Sequence, residues 1–358
     1  MKLLDRYIVF RFIGTFFFVI SLILLIAIVF DVSEKVDSFV SKEAPLKAVL
    51  LDYYLNFAFY YGNLFAALII FVAVIIFTSR LAQNTEVVAI LASGVSFNRF
   101  LRPYFIAATI LTLISLYLNN FFIPHANKVR LDFEWTYINN PESNRYRNIH
   151  RKIGPDTYIF LESFNLEKKA GYHFSIEQFS NDSLRYKLLA DFLRWDSTLQ
   201  VWRMENYYVR EINGWEEQIE SGNRKDTVLN FRPEELVTKL YTIETMDFFK
   251  LKKFIVQEEF RGSENLVFYN VERNRRIALP MATYVLTLIG VSLSYRKKRG
   301  GMGMNIAIGF GAIFVYIFFM QVSTTFATNG NLSPLLAVWI PNIIFGIFAL
   351  FLYRRALQ

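Results

Sequence analysis

The 358-residue chain contains no cysteine. Disulfides, thiolate metal sites and cysteine nucleophiles are therefore excluded. Histidine is almost as scarce. His125, His150 and His173 are the only three, and spacings of 25 and 23 residues match no metal-ligand motif, so they read as surface or hydrogen-bonding side chains. No G-x-x-x-x-G-K-[ST] run is present, and Gly300-Gly301-Met302-Gly303 has neither the preceding strand nor the lysine that would cradle a nucleotide's phosphates. No G-x-S-x-G nucleophile turn occurs either, so nothing in the sequence asks for an enzyme.

The most informative absence is charge over long stretches. Residues 12–30, 53–79, 103–127, 277–295 and 300–353 carry no Lys, Arg, Asp or Glu. A bilayer core takes about 20 apolar residues per helix, so the last of these runs, interrupted by Asn329-Gly330-Asn331-Leu332-Ser333-Pro334, is long enough for two spans and a turn. Six membrane-spanning helices follow, three before and three after a hydrophilic insert. Apolar residues make up 54% of the chain and aromatics 17%, which also excludes a disordered or collagen-like polymer.

The charges that do occur fix an expected orientation, because Lys and Arg are retained on the cytoplasmic side. With the N-terminus inside, that side carries Lys2, Arg6, Arg11, Arg80, Arg99, Arg102, Arg296, Lys297, Lys298, Arg299, Arg354 and Arg355 against only Asp5 and Glu86. The net charge of +8 thus reports topology and not nucleic-acid binding. The first span is too long for a signal-peptide core, and no A-x-A-like cleavage site follows it in Asp31-Val32-Ser33-Glu34, so it is expected to be retained.

The insert changes period as well as composition. Residues 158–161, 172–176, 184–188 and 202–209 are short aromatic or β-branched stretches, several of them alternating, separated by Asn181-Asp182-Ser183, Asp196-Ser197-Thr198 and Asn213-Gly214. They predict an all-β domain, a sandwich or jelly roll. Residues 247–261 then read as an amphipathic helix, with Phe248, Leu251, Phe254 and Ile255 on one side and Gly262 as its stop. The expected division is 1–127 for the first three spans, 128–245 for the β domain, 246–275 for a helical connector and 276–358 for the last three spans.

Two segments stand out as candidate sites. Between the second and third spans, Asn84-Thr85-Glu86-Val87-Val88-Ala89-Ile90-Leu91-Ala92-Ser93-Gly94 predicts a short helix capped by Asn84 or Thr85. Glu86 either merely complements that helix's dipole, worth about 0.3 to 1 kcal/mol, or heads an apolar helix that docks into a partner. In the first outside loop, Lys35 and Lys42 either snorkel to the interface or meet the phosphates of an anionic lipid. Ala307-Ile308-Gly309-Phe310-Gly311 in the fifth span offers small residues for close helix contact.

Taken in order, Leu4-Asp5-Arg6-Tyr7-Ile8, Thr85-Glu86-Val87-Val88-Ala89-Ile90, Ser93-Gly94-Val95-Ser96, Pro103, Asn119-Asn120, Pro124 and Trp339-Ile340-Pro341-Asn342 make a pattern that resembles the membrane permease subunits of the lipopolysaccharide export ABC transporter, the Lpt F and G type, with a lean to G. The resemblance implies a multi-pass protein of the bacterial inner membrane with both termini in the cytoplasm and a periplasmic β-jellyroll. It implies partners as well: a cytoplasmic ABC ATPase dimer that binds the ATP and Mg, a second similar permease, a periplasmic jelly-roll bridge protein and lipopolysaccharide itself. Such a chain binds no cofactor of its own. The family's coupling helix matches residues 84–98, which would place Glu86, Val87, Ile90 and Gly94 at the ATPase. The family's first span and following loop flank its lipid gate, where Lys35 and Lys42 fall. A membrane-anchored periplasmic scaffold or sensor is the rival that the residues alone leave open.

Overall fold

The protein is represented by a computed structural model that describes residues 3–138, 145–154, 156–166, 168–180, 183–229, 231–236, 240–263, 265–297 and 301–357. Lys2, Asn181, Asp182, Lys298, Arg299 and Gly300, singled out above, lie outside them. The elements in order are α1 (Leu3–Ser41), α2 (Leu46–Ala48), a π-helical stretch Val49–Tyr54, α3 (Leu55–Leu64), α4 (Ala66–Gln83), α5 (Glu86–Ala92), α6 (Phe97–Tyr117), a second π-helical stretch Leu118–Phe122 and α7 (Ile123–Tyr137). Then come β1 (Arg145–Gly154), β2 (Thr157–Asn165), β3 (Ala170–Ser180), β4 (Ser183–Asp196), β5 (Val201–Asn213), β6 (Glu216–Thr227), α8 (Pro233–Leu236), α9 (Phe248–Phe260), α10 (Leu266–Ser294), α11 (Gly301–Asn329) and α12 (Pro334–Leu357). The chain divides into two compact units: one of Met1–Ile138, Glu244–Leu251 and Val267–Gln358, the other of Asn139–Ile243 and Lys252–Leu266.

In the helical unit, six segments among the described residues are long and apolar enough to cross a membrane, three before the insert and three after it, as expected: α1, α4, Phe97–Tyr137, α10, α11 and α12. The turn between the last two behaves as its sequence predicts. Pro334, whose missing N–H costs nothing there, opens α12, and Ser333 Oγ accepts from the Leu336 N–H at 3.4 Å. α4 is the most deeply buried span, packed against α1 and α6 on one side and α10, α11 and α12 on the other. Phe71, Ala73, Val74 and Ile75 are almost fully covered.

Lipid tails are as apolar as leucine, so what joins these helices is close packing and hydrogen bonding more than hydrophobic burial. A Cβ on Gly309 would come within 2.4 Å of Ile75 Cδ1, and one on Gly290 within 2.8 Å of Val74 Cγ1. Both glycines therefore let α11 and α10 lie against α4. The small-residue face expected in the fifth span is thus used inside this bundle at Gly309, whereas Gly311 meets nothing within 4 Å.

Polar bonds do the rest, and two of them answer prolines. Pro341 has no N–H for the Ala337 carbonyl one turn earlier, and Ser323 Oγ of α11 donates to that carbonyl at 2.6 Å. Pro280 likewise frees the Arg276 carbonyl, which accepts from Asn119 Nδ2 at 3.4 Å. Asn342, 6% exposed, accepts from the Tyr316 hydroxyl and donates to the Ala278 carbonyl, both at 2.9 Å, and so ties α11, α12 and α10 together. Replacing Asn342 by alanine is expected to cost about 1 to 2 kcal/mol, since interhelical bonds in membranes average roughly 0.6 kcal/mol each and the stranded Tyr316 hydroxyl adds to the loss. Thermal inactivation in detergent checks this, and a shift below 1 °C would show the bridge to be dispensable.

The other unit is built on a β-sheet, with α8 and most of α9 beside it in the chain. Its six described strands pair antiparallel in sequence order, β1-β2-β3-β4-β5-β6, as a meander. That pairing contains no jelly-roll crossover among the described residues. Ladder rows explain the core. Ile159, Ile176, Leu188 and Val209 face one another across four strands, and Phe164, Gly171, Leu193 and Met204 form a second buried row. Gly171 is there for want of room: a Cβ would sit 2.8 Å from both Leu161 Cδ2 and the Ser163 carbonyl. Gly171→Ala is expected to destabilise the domain by about 1 to 3 kcal/mol through overpacking, read as faster proteolysis of the insert in the intact chain.

Trp202 is the largest side chain in that core, fully buried, with Nε1 donating to the Phe231 carbonyl at 3.0 Å and Trp195 5.2 Å away edge-on. β6 is a different kind of strand. Apart from Ile219 and Gly222 it is polar, and it is largely exposed; its side chains pair with β5 through Arg203–Asp226 at 3.1 Å and Arg210–Glu217. Asp226 also receives Arg224 at 3.1 Å, and the two guanidiniums, Arg224 first, hold its carboxyl down to about 2. A depressed native value contributes stability that is complete above the unfolded carboxylate value near 4 and is lost as pH falls toward 2. The β domain is therefore expected to show an acid-labile edge that Asp226→Asn removes. Hydrogen exchange of β6 in the two proteins at pH 7 and pH 3 reads it: the wild type is expected to be the better protected at pH 7, with the difference narrowing at pH 3, and equal exchange in both proteins at pH 7 would contradict it.

Candidate functional site

The end of the helical unit that carries the N-terminus gathers α1, α4, α5, α6, α10 and α12 around one core containing Ile8, Leu81, Val87, Phe97, Tyr295 and Ala356. α5 is set across this end by two left-handed residues. Thr85 has φ +63 immediately before the helix, and Gly94 has φ +87 just after it. A β-branched residue in that region is strained, whereas glycine adopts it freely. The expected side-chain cap does not form: Thr85 Oγ1 donates to the Asn84 carbonyl at 2.6 Å, because in the left-handed conformation its hydroxyl points back along the chain.

Glu86 is held instead by its neighbours. The Tyr7 hydroxyl from α1 donates to Glu86 Oε2 at 3.0 Å, and Asn84 Nδ2 donates to Oε1 at 3.2 Å. The other acid at this basic end, Asp5, forms a two-pronged pair with Arg99 of α6, at 2.6 and 2.9 Å. Both of the acids at this end therefore join separate helices: α1 to α5 through Tyr7, and α1 to α6 through Asp5. Beside Glu86 a groove of about 530 Å³ runs between α1 and α4 past Arg11 and Arg80.

The four residues expected on the docking helix divide by face. Val87 is 1% exposed and packs into the bundle, with Ile90 partly covered against the same core. Glu86 is half-buried at the head of the helix, and Gly94 lies in the exposed turn that ends it. The outward face consists of Val88, Ala89 and Ala92, residues the sequence reading did not single out. No local signal marks them, because helical spacing gives the outer face only once Val87 is known to be buried. Tyr7 and Arg99 were also missed as partners, since 79 and 94 residues separate them from Glu86 and Asp5.

At the opposite end of the bundle, Lys35 does not stand alone. Its Nζ lies 2.7 Å from Asp31, bonds the Tyr53 hydroxyl, and sits 3.9 Å from Glu134 and 5.0 Å from the Tyr53 ring centre. Glu134 is shared with Arg130, 2.5 Å away, whose guanidinium also bonds Asn127 Oδ1 and covers the ring of Tyr60 at 4.9 Å. Lys35 thus belongs to a closed set of two cations and two carboxylates. A lipid phosphate would have to displace one of its acids. Lys42 is half-buried just past the end of α1, where Glu43 turns the chain with φ +51.

The last three helices extend the same unit, and the exposed side chains of α1, α11 and α12 are predominantly large and apolar, among them Phe17, Phe18, Phe310, Phe314, Phe318 and Phe351. Surfaces of this kind suit lipid rather than water. Together with the inserted β domain they give a multi-pass membrane protein carrying one folded hydrophilic unit. Compared with curated protein sequences, the chain finds no match. The family model described as lipopolysaccharide export system permease LptF/LptG matches residues 6–355, nearly the whole chain from Arg6 on α1 to Arg355 on α12, and the protein belongs to that permease family.

Proposed function

We propose that this inner-membrane protein is the permease subunit of an ATP-driven lipopolysaccharide exporter. It pairs with a second, similar permease over a cytoplasmic ABC ATPase dimer, which binds the ATP and Mg. The N- and C-termini face the cytoplasm, the β domain stands in the periplasm, and the lipid passes along it to a jelly-roll bridge protein. Lys35, within α1 and not in a loop, and Lys42 just past that helix would meet headgroup phosphates only after Lys35 exchanges Asp31 or Glu134 for the lipid.

The observation that carries this reading is how α5 is mounted. Its inner face is fixed by Val87 and by the Tyr7–Glu86 bond, its outer face of Val88, Ala89 and Ala92 is small and apolar, and it follows directly from α4. A push on α5 would therefore be delivered to α4, the span in contact with both α1 and α11. Closing a lipid-filled space along α1 and α11 would then drive acyl chains outward, and shelter in the β domain offsets about 0.8 kcal/mol per CH₂ exposed to water.

Purification of the tagged chain from its native membrane in mild detergent, with mass spectrometry of what accompanies it, tests the assignment. A small ATPase, a second six-span permease and lipid A are expected together. Recovery of the chain alone with ordinary phospholipid, even after crosslinking, would instead favour a membrane-anchored scaffold.

A further inference from the structure

The groove beside Glu86 is a slot with one polar and one apolar end. Tyr7, Arg11, Gly14 and Phe18 line it four, three and four residues apart, so α1 presents a single face to it over roughly 16 Å. Across from them α4 contributes Arg80 from its last turn and Ile76 from one turn deeper, and Glu86 closes the polar end. A side chain on Gly14 would meet nothing within 4 Å, so the slot is open at its middle. Its volume of about 530 Å³ falls within the roughly 300–1,000 Å³ usual for ligand sites.

Arginines at this end are only what topology demands, and any outer groove of a membrane protein meets acyl chains. The acid is what topology does not supply. Glu86 shares the slot with two guanidiniums, yet its oxygens accept from Tyr7 and Asn84, and neither Arg11 nor Arg80 forms an ion pair among the described residues. Arg11 lies instead over the Tyr7 ring, 5.9 Å from its centre. Unlike charges are therefore held apart in one open volume, and each Glu86 oxygen keeps a lone pair for a further donor. A purely anionic guest would satisfy the arginines and be repelled by Glu86, and a purely cationic one would do the reverse. A guest carrying both charges at the head of an apolar tail satisfies all three side chains and the Phe18 end as well.

We infer that this slot binds a zwitterionic phospholipid with a primary ammonium headgroup, of the phosphatidylethanolamine kind. Its phosphate meets Arg11 and Arg80, its ammonium donates to Glu86, and an acyl chain runs past Gly14 toward Phe18. A choline headgroup carries the same two charges, but its methylated nitrogen has no N–H to give Glu86. The ring face that could hold such a cation, that of Tyr7, is already covered by Arg11. The consequence falls on α5, because the lipid adds a contact to the carboxylate that Tyr7 fastens to α1.

The test is native mass spectrometry of the delipidated full-length chain with its co-purifying partners, titrated separately with dioleoyl phosphatidylethanolamine, phosphatidylcholine and phosphatidylglycerol. Wild-type protein is expected to retain the ethanolamine lipid roughly tenfold better than either of the others. Arg11→Ala with Arg80→Ala should weaken that retention by about tenfold, whereas Arg354→Ala with Arg355→Ala, which removes the same charge outside the slot, should leave it unchanged. Glu86→Gln keeps an acceptor for Tyr7 and is expected to abolish the preference over choline. Gly14→Leu touches no charge and has room for its side chain, and it should block the slot and lower retention as far as the arginine pair does. The readout is lipid retention, so it stands apart from whether an ATPase docks on α5. Equal retention of the three lipids, stronger retention of phosphatidylglycerol, or a Gly14→Leu protein that binds like wild type overturns the proposal. Retention by the isolated chain that vanishes in the assembled complex gives the slot to the partner permease and overturns it too.

Discussion

Ala89→Arg is expected to separate this chain from the ATPase proposed to dock on α5, without unfolding it. Ala89 lies on the outward face of α5 beside Val88, 59% exposed, and opposite the buried Val87. Arginine is tolerated there in the free chain, because the side chain reaches water. In a docked complex the same charge would be buried against an apolar groove without a designed partner, at a cost of about 2 to 4 kcal/mol, or roughly 30- to 900-fold in affinity. The ATPase recovered with the tagged variant should fall to background while the permease elutes as before. Undiminished recovery would remove α5 from the interface. Glu86→Ala acts differently, since it releases Tyr7 and Asn84 and loosens the mounting of the helix. Some ATPase should still bind to that variant, but with impaired export.

The second large effect is expected in the β domain. Trp202→Ala removes a fully buried indole that meets Phe164, Trp195 and Phe231 and strands the Phe231 carbonyl. Core tryptophan truncations cost about 3 to 5 kcal/mol, a large part of the stability an ordinary domain possesses. Limited proteolysis in intact membranes should cut the insert at least tenfold faster while the helical unit survives. Trp202→Phe keeps most of the packing but not the bond, and is expected to cost about 1 to 3 kcal/mol. If Trp202→Ala were as resistant as wild type, the meander would have to owe its stability to something other than this cluster.

The spans were legible because lipid imposes a requirement on every residue of a long segment: runs such as 12–30 and 300–353 have no charge at all. Strand β6 was not legible for the opposite reason. Glu216–Thr227 contains a single large aliphatic residue, Ile219, itself exposed, so no alternation marks it. It is a strand because β5 offers a ladder and complementary charges, and polar edges of this kind resist unwanted pairing with other sheets. The reasons for Asn342 and Ser323 were equally hidden. Each answers a backbone or hydroxyl group on another helix, and the proline that frees the Ala337 carbonyl lies in α12, whereas Ser323 lies in α11.

At the candidate site the short helix and its acid could be read from Thr85 to Ser96, but their direction could not. A docking role came from family resemblance, and nothing in the local pattern told Val87 from Val88. The helical core settles that, because Val87 packs beneath α5 and Val88 is left outside. Lys35 shows the reverse. Asp31, four residues earlier on the same helix, was in view, whereas Tyr53 and Glu134 arrive from elements 18 and 99 residues away to engage it.

The claim on which the rest depends is that work done on α5 moves lipopolysaccharide. The most direct measurement is release of labelled lipopolysaccharide from proteoliposomes containing the complex purified through this chain, with the periplasmic acceptor supplied outside. Release that requires ATP and is abolished by Ala89→Arg, with the variant still folded in the bilayer, is the predicted result. Release at the same rate without ATP, or undiminished in the variant, would contradict the account.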